Sequence, residues 1–154
     1  MNLVIREASL SEYDPLVPLL LQAEPSERAL RWSFEHMSDA VYRMDVDGVL
    51  AGAATMLWRR DPSEIIELAI DPARHGQGLG RTFLDWLADE ARRRGRTSLV
   101  VGTSSTSADN ILFYQKCGFR LDDVRLDYFW YYDEPVMENG LVVRDMIVFR
   151  RALS

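Results

Sequence analysis

Residues 68–84 read Leu68-Ala69-Ile70-Asp71-Pro72-Ala73-Arg74-His75-Gly76-Gln77-Gly78-Leu79-Gly80-Arg81-Thr82-Phe83-Leu84, passing from a β-rich run through a glycine cluster into an amphipathic stretch. Glu64 to Ile70 is the predicted strand, closed by Asp71-Pro72. Beyond the glycines, Leu79, Phe83, Leu84, Leu87 and Ala91 fall on one helical face. That helix ends in Arg92-Arg93-Arg94 and Gly95, placing cations at its negative end and a residue suited to a left-handed conformation just past it. In a strand, loop, helix order, glycines at 76, 78 and 80 let several backbone N–H groups turn toward one anion, where side chains would block the approach. Arg74 and Arg81 flank the loop, and Thr82 adds a hydroxyl in the first turn. A Walker loop needs Gly-Lys-Ser/Thr where this chain has Gly80-Arg81-Thr82, and a dinucleotide fold wants another glycine spacing near the first strand. A glycine turn that binds nothing is the remaining reading of the loop alone.

Outward from this segment, Leu3 to Arg6 reads as a first strand. Ser11 can cap a helix over Glu12 to Ala23 that Pro25 stops, and Ser26 to Met37 reads as a second helix. Val41 to Val46 and Val49 to Trp58 make a hairpin around Asp47-Gly48, a pair able to supply the positive φ angles of a tight turn. Downstream come a strand from Ser98 to Val101, a helix from Asp109 to Lys116, a strand opened by Gly118-Phe119 and a last strand from Val142 to Arg151 after Asn139-Gly140. A hairpin series followed by alternating strands and helices predicts an α/β (α+β) fold, a mixed central sheet with helices on both faces, in one domain over residues 1–154.

The 154 residues, 47% apolar and 27% charged, suit one substantial core without staples. A net charge of −6 argues against nucleic acid as a partner, since such binding needs a basic surface. The apolar cluster Leu16 to Leu21 is short, contains Pro18 and follows acids, so neither a signal peptide nor a membrane span is expected. A lone cysteine, Cys117, and two distant histidines point to a reducing, cytoplasmic setting without disulfide or structural metal.

The string from Leu68 to Arg81 resembles the central motif of the GNAT N-acetyltransferases, in which a strand runs into an Arg/Gln-x-x-Gly-x-Gly/Ala loop. His75 stands where that family usually has Arg or Gln. Phe113-Tyr114-Gln115-Lys116-Cys117-Gly118-Phe119 is similar to the family's second cofactor motif, in the same order and at the usual separation. The resemblance spans about residues 40 to 125, and Glu138-Asn139-Gly140 through Arg144-Asp145-Met146-Ile147 is similar to one bacterial branch of small single-domain members. It implies acetyl-CoA as cosubstrate and no metal. By the same resemblance, the pyrophosphate rests on His75, Gly76, Gln77, Gly78, Leu79, Gly80, Arg81 and Thr82. The backbone of Leu68, Ala69 and Ile70 pairs with the pantetheine arm as an added strand would, offering an N–H to the thioester oxygen.

Aminolysis of a thioester expels a thiolate, and a phenol beside the sulfur can return a proton, which gives Tyr114 a chemical task. Its bland alternative is a core ring packed beside Phe113. The acceptor amine must first lose a proton, and carboxylates on the strand before the loop are the candidates. Glu64 is favoured, because the family places a glutamate there, and Glu67 is the alternative. Strict alternation puts Glu64 with Ile66, Leu68 and Ile70 on one face and Glu67 on the other, unless a bulge intervenes. Cys117 has no nearby histidine to make it a nucleophile. Five aromatics between acids in Asp127 to Glu134 suit a cationic amine, or else a sheet edge or homodimer surface. The acceptor, a small-molecule amine or a protein amine, is left open by the sequence, as is a degenerate acetyl-CoA sensor.

Overall fold

A computed structural model describes residues 1–153 of the chain. Its strands are β1 (Leu3–Ala8), β2 (Ala40–Val46), β3 (Val49–Leu57), β4 (Ser63–Ile70), β5 (Ser98–Ser104), β6 (Arg120–Arg125), β7 (Met137–Glu138), β8 (Leu141–Val142) and β9 (Met146–Ala152). The helices are α1 (Tyr13–Leu20), α2 (Glu27–His36), α3 (Leu79–Arg93) and α4 (Ala108–Lys116). Seven strands form one sheet in the order β1-β2-β3-β4-β5-β9-β6, and β7-β8 is a separate two-stranded ribbon. Only β4 and β5 run parallel; the other neighbours are antiparallel. This is the mixed sheet expected.

Helices cover both faces. Phe83, Leu84, Leu87 and Ala91 of α3 pack on Met44, Met56, Ile65 and Leu99, with Tyr114 of α4 in the same layer. On the opposite face, Leu16, Val17, Leu20 and Leu30 of α1 and α2 pack on Val41 and Ala53. Phe83, Leu84 and Leu87 are completely buried, and burying each contributes about 1.5–3 kcal/mol. The central strands β2 and β3 meet in the predicted turn, with Asp47 at φ 51° and Gly48 at φ 80°.

Most boundaries shift by a few residues, β5 for instance running on to Ser104, and two differences from the expectation have a visible cause. The first helix is entered one turn early, through a 3-10 turn over Leu10–Glu12 whose cap is Ser9 rather than Ser11. Glu12 reaches back to accept from the Ser9 N–H at 2.9 Å, so Ser9-x-x-Glu12 is the capping box. The α-helix then spans only Tyr13–Leu20. The single last strand expected from Val142 is instead broken at residues 143–145. Asp145 leaves the ladder to accept from the Asp127 N–H at 2.9 Å, and Arg144 pairs with the Asp127 carboxylate at 2.6 Å. Those contacts anchor the aromatic segment that follows β6.

Candidate active site

β4 and β5 pair for only three residues, Ser63 with Leu99, Glu64 with Val100 and Ile65 with Val101. Past that point β5 stays with β9 as far as Ser104 and β4 stays with β3 as far as Ile70. The strands therefore part, and the β4 edge from Glu67 to Ile70 faces a gap with N–H and C=O groups that β5 does not engage. An open parallel edge inside a sheet is a ready partner for an extended ligand arm.

The glycine loop lies at the end of this gap. Gly76 (φ 81°) and Gly78 (φ 77°) adopt left-handed backbone, and a Cβ on either would meet no protein atom within 4 Å. Space of that kind beside the N-terminus of the 15-residue α3, whose first turn leaves its N–H groups without helical partners, suits an anion. Gly80 serves a different purpose from the one its spacing suggests. Its φ is ordinary, and a Cβ there would sit 2.8 Å from the Phe113 ring, so this glycine lets α4 approach α3. Three side chains of the loop are engaged within the protein, leaving the backbone N–H groups of Leu79 and Arg81 as what those residues offer, whereas the Thr82 N–H already donates to the Gly78 carbonyl at 3.1 Å. Leu79 is buried in the core. Arg81 donates to the Lys116 carbonyl at 2.6 Å and so caps α4, while the Thr82 hydroxyl donates to Gly78 O at 3.0 Å. Gln77 is exposed. His75, also exposed, turns back so that Nε2 lies 3.0 Å from the Ile70 carbonyl.

Tyr114 sits on the α3/α4 face, its ring among Phe113, Phe119 and Phe149 at centroid distances of 5.3, 5.8 and 6.0 Å. Its hydroxyl has no hydrogen-bond partner among the described residues. Burial, and secondarily Cys117, pushes the phenol well above its usual range, so it stays protonated at any neutral pH. Burial also raises the Cys117 thiol, outweighing Arg81 and Arg151, which makes a resting thiolate unfavourable there.

The carboxylates depart from simple alternation. Ile65 pairs with Met56 and Glu67 with Thr55, leaving Ile66 as the extra residue of a β-bulge. That one-residue slip puts Glu64 and Glu67 on the same face of the sheet, the α1/α2 side, instead of on opposite faces. Both are buried. Glu64 is gripped by Arg125, with Nη2 to Oε1 at 3.1 Å and Nη1 to Oε2 at 3.4 Å, and Arg60 approaches to 3.7 Å. Glu67 has hydroxyl partners instead: Thr55 donates to Oε1, and Ser33 Oγ lies 3.0 Å from Oε2. Ser33 is also within 2.9 Å of the Leu30 carbonyl, and it has a single proton for two acceptors. A protonated Glu67 resolves that shortage by donating to Ser33, which then donates to Leu30. Consistent with this wiring, burial raises Glu67 to about 7, against the pull of Thr55 and Ser33.

The acetyltransferase (GNAT) family model matches residues 6–119, most of the chain. The chain belongs to the GNAT acetyltransferase family. It is 32% identical over 136 residues to the uncharacterized N-acetyltransferase YvbK of Bacillus subtilis, covering 87% of this chain and 86% of that one. Among solved structures it resembles one described as an IAA acetyltransferase from Bacillus cereus (TM-score 0.87, 32% identity, 99% and 100% of the two chains). It also resembles a GNAT acetyltransferase from Elizabethkingia anophelis with acetyl-CoA bound (TM-score 0.87, 29% identity, 99% of each chain). By family the chain is an acetyl-CoA-dependent N-acetyltransferase.

Within this GNAT scaffold, the α1/α2 face carries residues that sequence reasoning did not single out. Segment 126–134 folds over β5 and β9, with Tyr128 and Phe129 packed on Val100, Met146 and Val148. Four of its five aromatic rings turn inward, and only Trp130, 82% exposed, faces out. Arg125, Ser33 and Thr55 had no local motif to mark them. Glu24, between α1 and α2, is 8% exposed. Its Oε2 accepts from the Tyr132 hydroxyl at 2.6 Å, whereas its Oε1 is buried without a partner among the described residues. Glu24 lies in no recognisable spacing, and only its arrival beside residues more than a hundred positions away gives it meaning. Among the described residues, no helix is long and apolar enough to cross a membrane.

Proposed function

We propose that this chain transfers the acetyl group of acetyl-CoA to a primary amine by direct attack, with no acetyl-enzyme intermediate. The observation that carries this reading is the parting of β4 from β5 with Glu67 on one face of the sheet and Tyr114 on the other. A thioester lying in such a gap could be approached by the amine from the α1/α2 side while the CoA sulfur lies toward α4. The related structure with acetyl-CoA bound supports this cosubstrate.

Each residue then has a defined task. The amides of Gly76 to Arg81 and the dipole of α3 hold the pyrophosphate, with His75 and Gln77 at the rim of the loop; Thr82, expected from sequence to join them, has its N–H committed to the Gly78 carbonyl. Leu68, Ala69 and Ile70 offer the β4 edge to the pantetheine arm, and an N–H there polarises the thioester carbonyl. Glu67, directly or through water, accepts the proton that the ammonium must lose. The amine nitrogen bonds to the carbonyl carbon as the C–S bond breaks, and Tyr114 gives its proton to the departing thiolate. An apolar site raises the proton affinity of that thiolate as it raises that of the phenol, so transfer need not be steeply uphill.

Glu67 replaces Glu64 as the preferred base for a reason of partners. Hydroxyls can donate or accept, so Glu67 can hold or release a proton while Ser33 only re-aims its hydroxyl between Oε2 and the Leu30 carbonyl. Guanidinium groups only donate, so a proton on Glu64 would break its bonds to Arg125. Glu64 is better read as the anchor of Arg125, which in turn lies 5.8 Å from the Tyr128 ring.

The test is steady-state kinetics with acetyl-CoA and a library of amines, following thiol release. Direct attack requires a ternary complex and hence intersecting reciprocal plots. Parallel plots, or an acetylated protein after incubation with acetyl-CoA alone, would overturn it.

A further inference from the structure

One proton acceptor is enough for one amine, yet the α1/α2 face buries two carboxylates that no protein cation neutralises. Arg125 is taken by Glu64, and Arg28 by Asp133 and the Tyr131 carbonyl. Glu67 is assigned to the reacting nitrogen. Glu24 has no comparable duty, and its Oε1 is buried without a donor. A buried carboxylate oxygen in that condition costs free energy unless a ligand supplies what the protein withholds.

The surroundings of Glu24 indicate the kind of donor. Tyr132 donates its hydroxyl to Oε2, which fixes the carboxylate and directs the other oxygen elsewhere. Tyr131 lies against Tyr132 at 4.7 Å between ring centroids, and Phe129 stacks parallel to Tyr132 at 5.9 Å. Tyr128 closes the cluster at 6.3 Å from Tyr131. The Tyr132 hydroxyl ties this aromatic cluster to the carboxylate, and π-systems next to an anionic oxygen favour a cation over an anion or a neutral polar group. Burial raises Glu24 to about 7 against the pull of the Tyr132 hydroxyl and of the Tyr131 hydroxyl nearby, which makes no hydrogen bond to Oε1, so a bound cation would also draw the group into its ionised form.

We propose that the acceptor is a dication: one amine reacts beside Glu67, while a second ammonium seats between Glu24 Oε1 and the rings of Tyr128, Tyr131 and Tyr132. The inference rests on the amine-acetylation reading and narrows it to compact aliphatic diamines and amines bearing an equivalent second cation. Glu24 and the rings are binding residues here, with no part in the proton transfers.

The experiment compares α,ω-diamines of three to six carbons with n-alkylamines of the same length, in both turnover and calorimetric binding to the CoA-loaded protein. The wild type should favour one diamine length over its monoamine at least about tenfold in kcat/KM. Glu24→Gln keeps an acceptor for the Tyr132 hydroxyl but removes the charge, and it should erase that preference. Tyr131→Leu leaves the carboxylate intact and should weaken diamine binding about three- to tenfold. Equal use of diamines and monoamines by the wild type, or an unchanged ratio in Glu24→Gln, overturns the proposal while leaving amine acetylation standing. Diamine binding that depends on Glu24 without any acetyl transfer has the opposite result: it supports the cation site and breaks the transfer reading.

Discussion

The two sides of the β4/β5 gap are built from different materials. On the α3/α4 side the key parts are mostly backbone: two left-handed glycines, the amides of one helix turn and the free edge of one strand, all within residues 67–82. On the α1/α2 side they are side chains brought from five places, Glu24, Ser33, Thr55, Glu67 and the segment 125–132. A backbone cradle tolerates almost any side chain except where a Cβ would intrude. A side-chain wall can be rebuilt one residue at a time without disturbing the cradle. On the roles proposed above, cofactor binding and acceptor choice are separable properties of this molecule.

The strongest challenge to that division is Tyr114, the one side chain given a chemical role on the backbone-built side. Tyr114→Phe keeps the ring packing and should leave acetyl-CoA affinity nearly unchanged, while turnover falls roughly 10²- to 10⁴-fold. Full activity under conditions where chemistry limits the rate would make the tyrosine a packing residue.

Glu67→Gln probes the other side twice. Turnover at pH 7 should drop about 10²-fold, with the loss shrinking at high pH, where free amine is already abundant. Glu64→Gln showing that profile in its place would restore the assignment favoured from sequence. Stability should respond as well. The folded-state pKa of Glu67 is raised from 4.5 to about 7, so the folded protein binds the proton more tightly. Stability is then lost as pH climbs from about 4.5 through about 7, by on the order of 3 kcal/mol at most. Glu24 adds a slope of the same sign, so urea titrations of Glu67→Gln across that window should show a shallower decline, not a flat line.

Gly78→Val tests the cradle. A β-branched residue at φ 77° is strained and fills the open space, so acetyl-CoA affinity should fall tenfold or more by calorimetry, at a stability cost of about 1–2 kcal/mol. Gly80→Ala should show the smallest change. Its Cβ presses on Phe113, costing about 1–2 kcal/mol in a thermal melt and affecting cofactor affinity only slightly.

The same division explains what could be read from the sequence. The loop, its helix and the Tyr114 motif are contiguous and periodic, and their elements were placed within a few residues. Glu24 and Arg125 were beyond reach because each acquires its partner through tertiary contact alone, Tyr132 and Glu64 respectively. The choice between Glu64 and Glu67 turned on a bulge, and no propensity in Glu64-Ile65-Ile66-Glu67 announces one. The broken last strand has a related origin, since Asp145 leaves its ladder to hold a segment far upstream.

The extra residue at Ile66 makes β4 sensitive to its length as well as to its composition. Losing one codon there would smooth the bulge and keep Glu64 and Glu67 on one face, whereas gaining one would leave Leu68 to Ile70 in register with β3 while turning Glu64 toward the apolar layer under α3, stranding Arg125. Three nucleotides separate a strand that presents both acids to one side from a strand that splits them. A lineage could exchange many residues along this strand and still keep the arrangement, yet a single in-frame insertion would undo it.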